Sequence, residues 1–138
     1  MNKSDLEILA DLRLAEAKAL LDSGYFCGSY YLAGYSVECA IKVCIAKQVR
    51  EFDFPDKKLA EKSHQHDLGA LIKVAALSTS LAQYEDASSD FKANWAVIKD
   101  WKVESRYDGR IPEFDARNLL DAISDPTAGI TKWLMTFW

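Results

Sequence analysis

Apolar residues recur every three or four positions along most of the chain, which is the spacing of one helix face. The first helix is predicted over residues 5–23, with Ser4 and Glu7 as its capping box and Gly24 as its stop. Its apolar residues form two nearly opposite stripes, which are Ile8, Leu12, Ala15 and Ala19 (the outer stripe) and Leu6, Ala10, Ala17 and Leu21 (the inner stripe). A helix that is apolar on two sides is usually sandwiched. We therefore expect one stripe to face the domain core and the other to face a partner subunit.

The second helix is predicted over roughly residues 26–51 and at the centre of a bundle, because small residues such as Gly34 allow close approach by neighbouring helices. One of its faces is apolar and is formed by Tyr30, Ala33, Val37, Ala40, Ile41 and Cys44. A second line, which we call the polar line, is formed by Tyr31, Tyr35, Glu38 and Lys42. Glu38 and Lys42 form an i, i+4 pair of favourable polarity. Charged groups within an otherwise apolar helix need partners, and Arg106 is a candidate partner for Glu38.

The middle of the chain is predicted to contain a connection, one helix and a polar joint. Residues 52–66, which include Pro55, are typical of a connection that has room for a short helical turn. Helix three is predicted within residues 64–77, and Asp67 either caps it or lies in its first turn. The polar run at residues 84–90 is predicted to join this helix to the next.

Helix four is predicted over residues 89–102, where Trp101 continues the apolar stripe. The pattern then breaks, and helix five begins near Pro112, a favoured first-turn residue. The dipeptide Asp125-Pro126 either starts a separate last helix or kinks a continuous one. We find no convincing strand pattern. The sequence therefore predicts an all-α fold, an up-and-down antiparallel bundle of four or five main helices.

Composition limits the class of protein. A chain of 138 residues fits one domain, 1–138, and its 49% hydrophobic and 28% charged content is typical of a globular protein. The net charge of −4 argues against a basic surface across the whole domain. No apolar run reaches about 18 residues and the first segment reads as a helix, so we expect no membrane span, no secretory signal and a cytoplasmic location. The three cysteines, Cys27, Cys39 and Cys44, are expected to be reduced.

Two histidines, His64 and His66, lie next to Asp67 in one predicted loop. Such side chains can hold a metal ion, but H-x-H-D before a helix is a weak pattern. The alternatives are that these residues cap helix three and hydrogen-bond the loop, or that a histidine lines a functional cleft. No G-x-S-x-G motif and no phosphate-binding glycine loop is present. We therefore predict no catalytic residue, no metal and no cofactor.

Two interpretations of the polar line stay open at this point. It is either a buried polar network that fixes the register of the bundle, or a cleft for a nucleotide or nucleic acid. The run W-K-V-E-S-R-Y at residues 101–107 bears on this choice, because aromatic side chains interleaved with basic ones can stack bases and contact phosphates. Core packing is the simpler interpretation for Trp101 itself.

The run GSYYLAGYSVECAIKVCIAKQ resembles the second helix of the HEPN domains (higher eukaryotes and prokaryotes nucleotide-binding), with the motif a-Y-x-a-x-x-a-x-E-x-a-x-K falling on the polar line. Four later runs resemble a bacterial stand-alone HEPN group, and they are HDLGAL (66–71), NWAVIKDW (94–101), SRY (105–107) and DPTAGITKWL (125–134). The resemblance covers nearly the whole chain. It implies a helical bundle that commonly dimerises, with a cleft near the dimer seam.

Many HEPN proteins are metal-independent ribonucleases that use R-x(4–6)-H near the final helices, and this chain departs from that motif. No histidine follows Arg106, Arg110 or Arg117, and neither His64 nor His66 has an arginine at the required offset. Without an acid–base partner, Arg106 is expected to bind rather than to cleave. Other HEPN domains pair with minimal nucleotidyltransferases or bind substrates or nucleotides, and these roles do not need the histidine.

The leading hypothesis is a non-catalytic HEPN-type domain that binds a nucleotide, another substrate or a protein partner, and that acts as a homodimer. A nucleotidyltransferase is the candidate protein partner, and a nucleotide or RNA is the candidate ligand. The predicted binding cleft is formed by Tyr31, Tyr35, Glu38, Lys42, His66, Asp67, Trp101, Arg106 and Tyr107. The alternative is a divergent HEPN ribonuclease or toxin that uses His64 or His66 with Arg106.

Overall fold

The computed structural model describes residues 1–49, 54 and 56–138. Within these residues the chain forms eight α-helices and no strand. The helices are α1 (Lys3–Asp22), α2 (Phe26–Ala46), α3 (Lys57–Ser63), α4 (Leu68–Val74), α5 (Ser78–Ala87), α6 (Ser89–Ile98), α7 (Glu113–Ser124) and α8 (Ile130–Met135), with a 3₁₀ turn at Val103–Tyr107 between α6 and α7. The all-α prediction is confirmed. None of the described helices is both long and apolar enough to cross a bilayer.

Helix α1 begins two residues earlier than predicted. Asn2 is its N-cap: the Asn2 side chain accepts from the backbone N–H of Asp5, and the Asp5 carboxylate accepts from the Asn2 N–H. The predicted capping box of Ser4 and Glu7 is therefore wrong, because an equivalent asparagine–aspartate box precedes it in the sequence. Gly24 ends the helix as predicted, with a positive φ of 84° that favours glycine.

Helices α1 and α2 pack along each other as an antiparallel hairpin. The Ser29 hydroxyl, at the start of α2, donates to the carbonyl of Ala17 near the end of α1 at 2.7 Å. The inner stripe of α1 packs on α2, and three of its four residues, Ala10, Ala17 and Leu21, are buried. The outer stripe faces away, since Ile8 is 65% and Leu12 is 47% exposed. The prediction that one stripe faces the domain core is confirmed, and the prediction that the other faces a partner subunit stays a prediction.

Helix α2 is the most buried helix of the described chain and contacts α1, α4, α7, α8 and the 3₁₀ turn. Its predicted apolar face is confirmed, with Ala33, Val37 and Ile41 fully buried. It ends at Ala46, so the prediction that it continues to residue 51 is wrong at least as far as residue 49, where residues 47–49 form a turn and bend. The rest of that prediction, residues 50 and 51, lies outside the described residues.

The middle of the chain is more helical than predicted. The connection predicted over residues 52–66 contains α3, whose N-cap is Asp56, while Pro55 lies outside the described residues. Asp67 caps α4 and accepts from the N–H of Ala70 at 2.8 Å, as one of the two interpretations of its role predicted. The polar joint predicted at residues 84–90 is wrong, because α5 runs through most of it. The apolar periodicity of α5 is too sparse to predict a helix, since Leu81 is the one buried residue of α5.

Helix α6 ends at Ile98, so the predicted helix over residues 89–102 is too long, although Trp101 is buried as predicted. Helix α7 starts directly after Pro112. It ends at Ser124, which decides the open question about Asp125-Pro126 in favour of a separate last helix. The Asp125 carboxylate accepts from the N–H groups of Thr127 and Ala128 in this link, and these hydrogen bonds lower its pKa to about 2.

One glycine sets how closely two parts of the fold approach. A Cβ added to Gly34 would lie 2.2 Å from the Trp101 indole, whereas a Cβ at Gly69 in α4 would meet its nearest atom at 3.5 Å. The first distance is far inside van der Waals contact and the second is ordinary. The segment after α6 can therefore pack on α2 only because residue 34 has no side chain.

We expect Gly34→Ala to lower the free energy of unfolding by about 3 kcal/mol, because the added methyl group must displace a buried indole. Gly69→Ala is the matched control and should change it by less than about 1 kcal/mol, in the stabilising direction. Urea denaturation of the two variants measures the difference. Equal effects would contradict the close-packing account.

Candidate functional site

The polar line lies along the side of α2 that meets the loop before α4 and the segment after α6. Its two tyrosines, Tyr31 and Tyr35, are half-buried and stack with ring centroids 6.1 Å apart and planes 15° apart. Tyr31 also stacks on Trp101, at 6.1 Å and 22°. Trp101 is 1% exposed, so its place in the predicted cleft is wrong: it supports Tyr31 from the core side and cannot itself meet a ligand.

Glu38 is the centre of the polar network. Its side chain is 2% exposed and both of its oxygens are engaged: Oε2 accepts from Lys42 Nζ at 3.1 Å, and Oε1 lies 2.9 Å from His66 Nδ1. A buried carboxylate needs such partners to offset its lost hydration. The prediction that Arg106 pairs with Glu38 is therefore wrong, because the lysine one turn along α2 and the loop histidine occupy both positions.

Arg106 lies at the other end of the polar line. It is exposed on the 3₁₀ turn, with its guanidinium carbon 4.8 Å from the centroid of the neighbouring Tyr107 ring. The phenol groups of Tyr107 and then Tyr31 raise the pKa of Arg106. Tyr31 precedes Glu38 by two helical turns, which is about 10 Å along the α2 axis. Arg106 and the His66–Glu38 pair therefore occupy opposite ends of one surface.

A small cleft, which we call the polar cleft, lies between the loop before α4 and the segment after α6. It has a volume of about 310 Å³ and is lined by Gln65, His66, Asp67, Lys102, Val103 and Glu104. Asp67 and Lys102 approach to 3.8 Å across it, and both side chains are more than half exposed. Sequence reasoning placed two of these six residues, His66 and Asp67, in the cleft. It missed the others because nothing local predicts which loops meet.

The two histidines have separate positions. His66 joins the polar line through Glu38, whereas His64 is the exposed C-cap of α3 and faces a different groove. Asp67 uses one carboxylate oxygen to cap α4. Within the described residues, no group of three or more His, Cys, Asp and Glu side chains is arranged as metal ligands. The candidate ligands of the H-x-H-D run therefore have separate roles: Asp67 caps α4, His66 is hydrogen-bonded to Glu38, and His64 lies at the rim of a different groove.

That second groove, the apolar groove, is enclosed by the first half of α1, the second half of α2 and α3. Its volume is about 440 Å³. Leu6, Leu9, Ile45 and Leu59 give the groove its apolar surface, and Glu38 and Lys42 line it next to Tyr35. The sequence does not predict this groove, because residues 52–66 are typical of a connection with at most a short helical turn. The single leucine of α3, Leu59, is too weak a signal for a packed helix.

Burial makes the thiols of α2 poor nucleophiles. Desolvation raises the pKa of both Cys39 and Cys44 to about 11, so both are protonated at neutral pH. Burial likewise raises the pKa of Tyr35, with smaller contributions from Cys39 and Glu38. The three cysteines are free. The site therefore offers charge and aromatic surface for binding rather than an activated nucleophile.

Replacing the buried carboxylate by its neutral isostere tests the network. We expect Glu38→Gln to lower the free energy of unfolding by about 2 kcal/mol, because Lys42 and His66 lose a desolvated anionic partner while the shape is kept. Glu113→Gln is the control: Glu113 forms an exposed i, i+4 pair with Arg117 at 3.2 Å, which contributes less than about 0.5 kcal/mol. Thermal unfolding of both variants measures the contrast, and similar small losses would show that the network does not stabilise the fold.

Comparison with protein-family models, with curated proteins and with solved structures finds no match for this chain. The case for a function therefore comes from the geometry just described. Its main parts are the stacked tyrosines, the buried Glu38 network and the four basic side chains beside them, which are Lys42, His66, Lys102 and Arg106.

Proposed function

We propose that this protein is a non-catalytic HEPN-type binding domain whose ligand is a nucleotide or a short stretch of RNA. One observation carries the proposal: the exposed guanidinium of Arg106 lies beside the Tyr107 ring and next to the stacked rings of Tyr31 and Tyr35. An exposed cation that is not paired with a carboxylate of the described residues attracts anions. Phosphate groups and base rings are the ligand parts that match cations and aromatic faces.

The cations at the two ends of the site differ in whether a carboxylate of the described residues already pairs with them. Lys42 is 21% exposed and already donates to Glu38, whereas Arg106 is exposed and packs on phenol rings rather than on a carboxylate of the described residues. A guanidinium presents several donors in one plane and suits bidentate contact with phosphate. Arg106 is therefore the proposed main contact for the anion, with Tyr107 and Tyr31 beside it for the ring.

The non-catalytic part of the proposal is supported by the separation of the candidate catalytic groups. His66 is paired with buried Glu38, His64 faces the apolar groove, and Arg106 lies at the opposite end of the polar line. A general acid or base has to lie within hydrogen-bonding reach of the reacting group that the arginine holds. Tyr31 next to Arg106 and Glu38 next to His66 are about 10 Å apart along α2, and within the described residues neither histidine is hydrogen-bonded to Arg106. This arrangement supports binding rather than the ribonuclease alternative.

We further propose that the protein acts as a homodimer through the outer stripe of α1. Ile8 and Leu12 are large apolar side chains at 65% and 47% exposure, and Ala15 and Ala19 extend the exposed face along the helix. A continuous apolar helix face on the surface is typical of an interaction site.

A nucleotidyltransferase-type protein is the proposed second partner, and the test is whether such a protein encoded beside this chain co-purifies with it.

Arg106→Ala should weaken binding of ATP, measured by isothermal titration calorimetry, by about tenfold, because a freely placed guanidinium contact to phosphate is lost. Arg117→Ala is the matched control: it removes the same charge from the exposed surface of α7, where Arg117 pairs with Glu113, and should leave ATP affinity unchanged. Equal losses in the two variants would show only a general effect of net charge and would contradict a site at Arg106.

The same variants decide between binding and cleavage of RNA. The wild-type chain, incubated with a labelled single-stranded RNA in the presence of EDTA, should bind without shortening the RNA. Robust cleavage that disappears in Arg106→Ala, and also in His66→Ala or His64→Ala, would overturn the non-catalytic proposal in favour of the ribonuclease alternative.

The double variant Ile8→Glu with Leu12→Glu should convert a dimer into a monomer, because each charge would have to be buried unpaired in the interface. Light scattering coupled to size-exclusion chromatography measures the mass. Glu substitutions at Thr79 and Gln83, which are exposed neutral positions on α5, add the same negative charge and provide the control. A wild-type monomer at concentrations of about 100 μM would remove the dimer from the proposal.

A further inference from the structure

We propose that the apolar groove is a second binding site, which takes a small amphipathic molecule with an apolar body and a single anionic head group. The groove has a volume of about 440 Å³, which is within the range of small-molecule sites. Its described lining shares no residue with that of the polar cleft, but it includes Tyr35, Glu38 and Lys42 of the polar line. The inference does not depend on whether the polar line binds a nucleotide.

The body of the ligand is set by the walls. Leu6 and Leu9 on α1 and Leu59 on α3 are half-buried, and Ile45 on α2 closes the groove from below at 5% exposure. Three helices thus contribute branched aliphatic side chains that keep part of their apolar surface in contact with solvent. Covering that surface with hydrocarbon is favourable by about 25 cal/mol per Å².

The sign of the head group is set by Lys42 on the groove wall. Its ammonium has three N–H donors, and within the described part of the chain it gives one of them, to Glu38 Oε2, which leaves two for a ligand. Glu38 does not offer an acceptor to a cationic ligand, because its two oxygens already pair with Lys42 and His66 and its side chain is 2% exposed. An anionic head group next to Lys42 can therefore accept a hydrogen bond from the ammonium, whereas a cationic head group would be repelled by its charge.

Other polar side chains also face the groove, and two of them, His64 and Asp56, bear on the charge of the head group. His64 lies at the rim and can donate a hydrogen bond. The other carboxylate on the lining, Asp56, is engaged at the start of α3, where its Oδ1 accepts from the N–H groups of Lys58 and Leu59 at 3.0 Å and 3.2 Å. The groove thus pairs an aliphatic interior with one partly free ammonium.

The probe for the test is 1-anilinonaphthalene-8-sulfonate, which combines an apolar ring system with one anionic group. Its fluorescence should rise on titration with the wild-type chain and saturate at one probe per chain. Octanoate should displace it, and octylamine or 1-octanol should do so at least about tenfold less well, because only the carboxylate is an anionic acceptor for the Lys42 ammonium. Near-ultraviolet circular dichroism, recorded on the same samples, confirms that the probe reports a packed protein and not a loosened core.

Two variants, Ala60→Trp and Lys42→Met, assign the probe to the groove, and a third is the control. Ala60 is an exposed α3 residue on the groove lining, so Ala60→Trp fills the groove without touching the core and should weaken probe binding by at least about tenfold. Ala82→Trp, at an exposed position of α5, is the matched control and should bind normally. Lys42→Met keeps the aliphatic stem and should erase the advantage of octanoate over octanol.

The outcomes separate this site from the nucleotide site. Ala60→Trp should leave ATP affinity unchanged, and loss of nucleotide binding altogether would not affect the octanoate result. The inference is overturned if the probe does not saturate, if Ala60→Trp binds it as well as the wild type, or if octylamine displaces it as well as octanoate does.

Discussion

The close packing of the Trp101 indole on Gly34 is the contact on which the arrangement of the site depends. Because a Cβ at position 34 would lie 2.2 Å from the indole, the glycine alone allows the segment after α6 to lie on α2. The indole stacks on Tyr31 from the core side, and the 3₁₀ turn that follows places Arg106 above the same tyrosine. A single core contact thus positions surface groups that are far apart in sequence.

The second constraint is the buried carboxylate of Glu38. A charge that is 2% exposed is tolerated only where partners offset its lost hydration, and here the partners come from two directions. Lys42 is supplied by α2 itself and His66 by the loop before α4. The network therefore ties that loop to the central helix. The two early interpretations of the polar line, a network that fixes register and a cleft for a nucleotide or nucleic acid, are compatible, because the network engages Glu38, Lys42 and His66 and leaves Arg106 exposed.

The helices that the sequence predicted well are those with a strong apolar repeat or a clear boundary residue. Gly24 and Pro112 mark real ends, and Asp67 is a real cap. The errors fall where local signals were weak or duplicated. Asn2 with Asp5 forms the capping box in place of the expected pair, and α5 shows too little apolar periodicity for a pattern to reveal it, since Leu81 is its one buried residue.

The sequence by itself determined the all-α class, the central place of α2, the opposed stripes of α1 and the composition of the polar line, because each depends on the period of one helix. Only the tertiary structure decided which loops meet that line. It assigned Glu38 to His66 rather than to Arg106, placed Trp101 beneath the surface and opened the apolar groove between α1, α2 and α3. These features arise from contacts between segments far apart in the chain. Local periodicity carries no information about them, since side-chain packing and the pairing of buried charge select among many arrangements of the same helices.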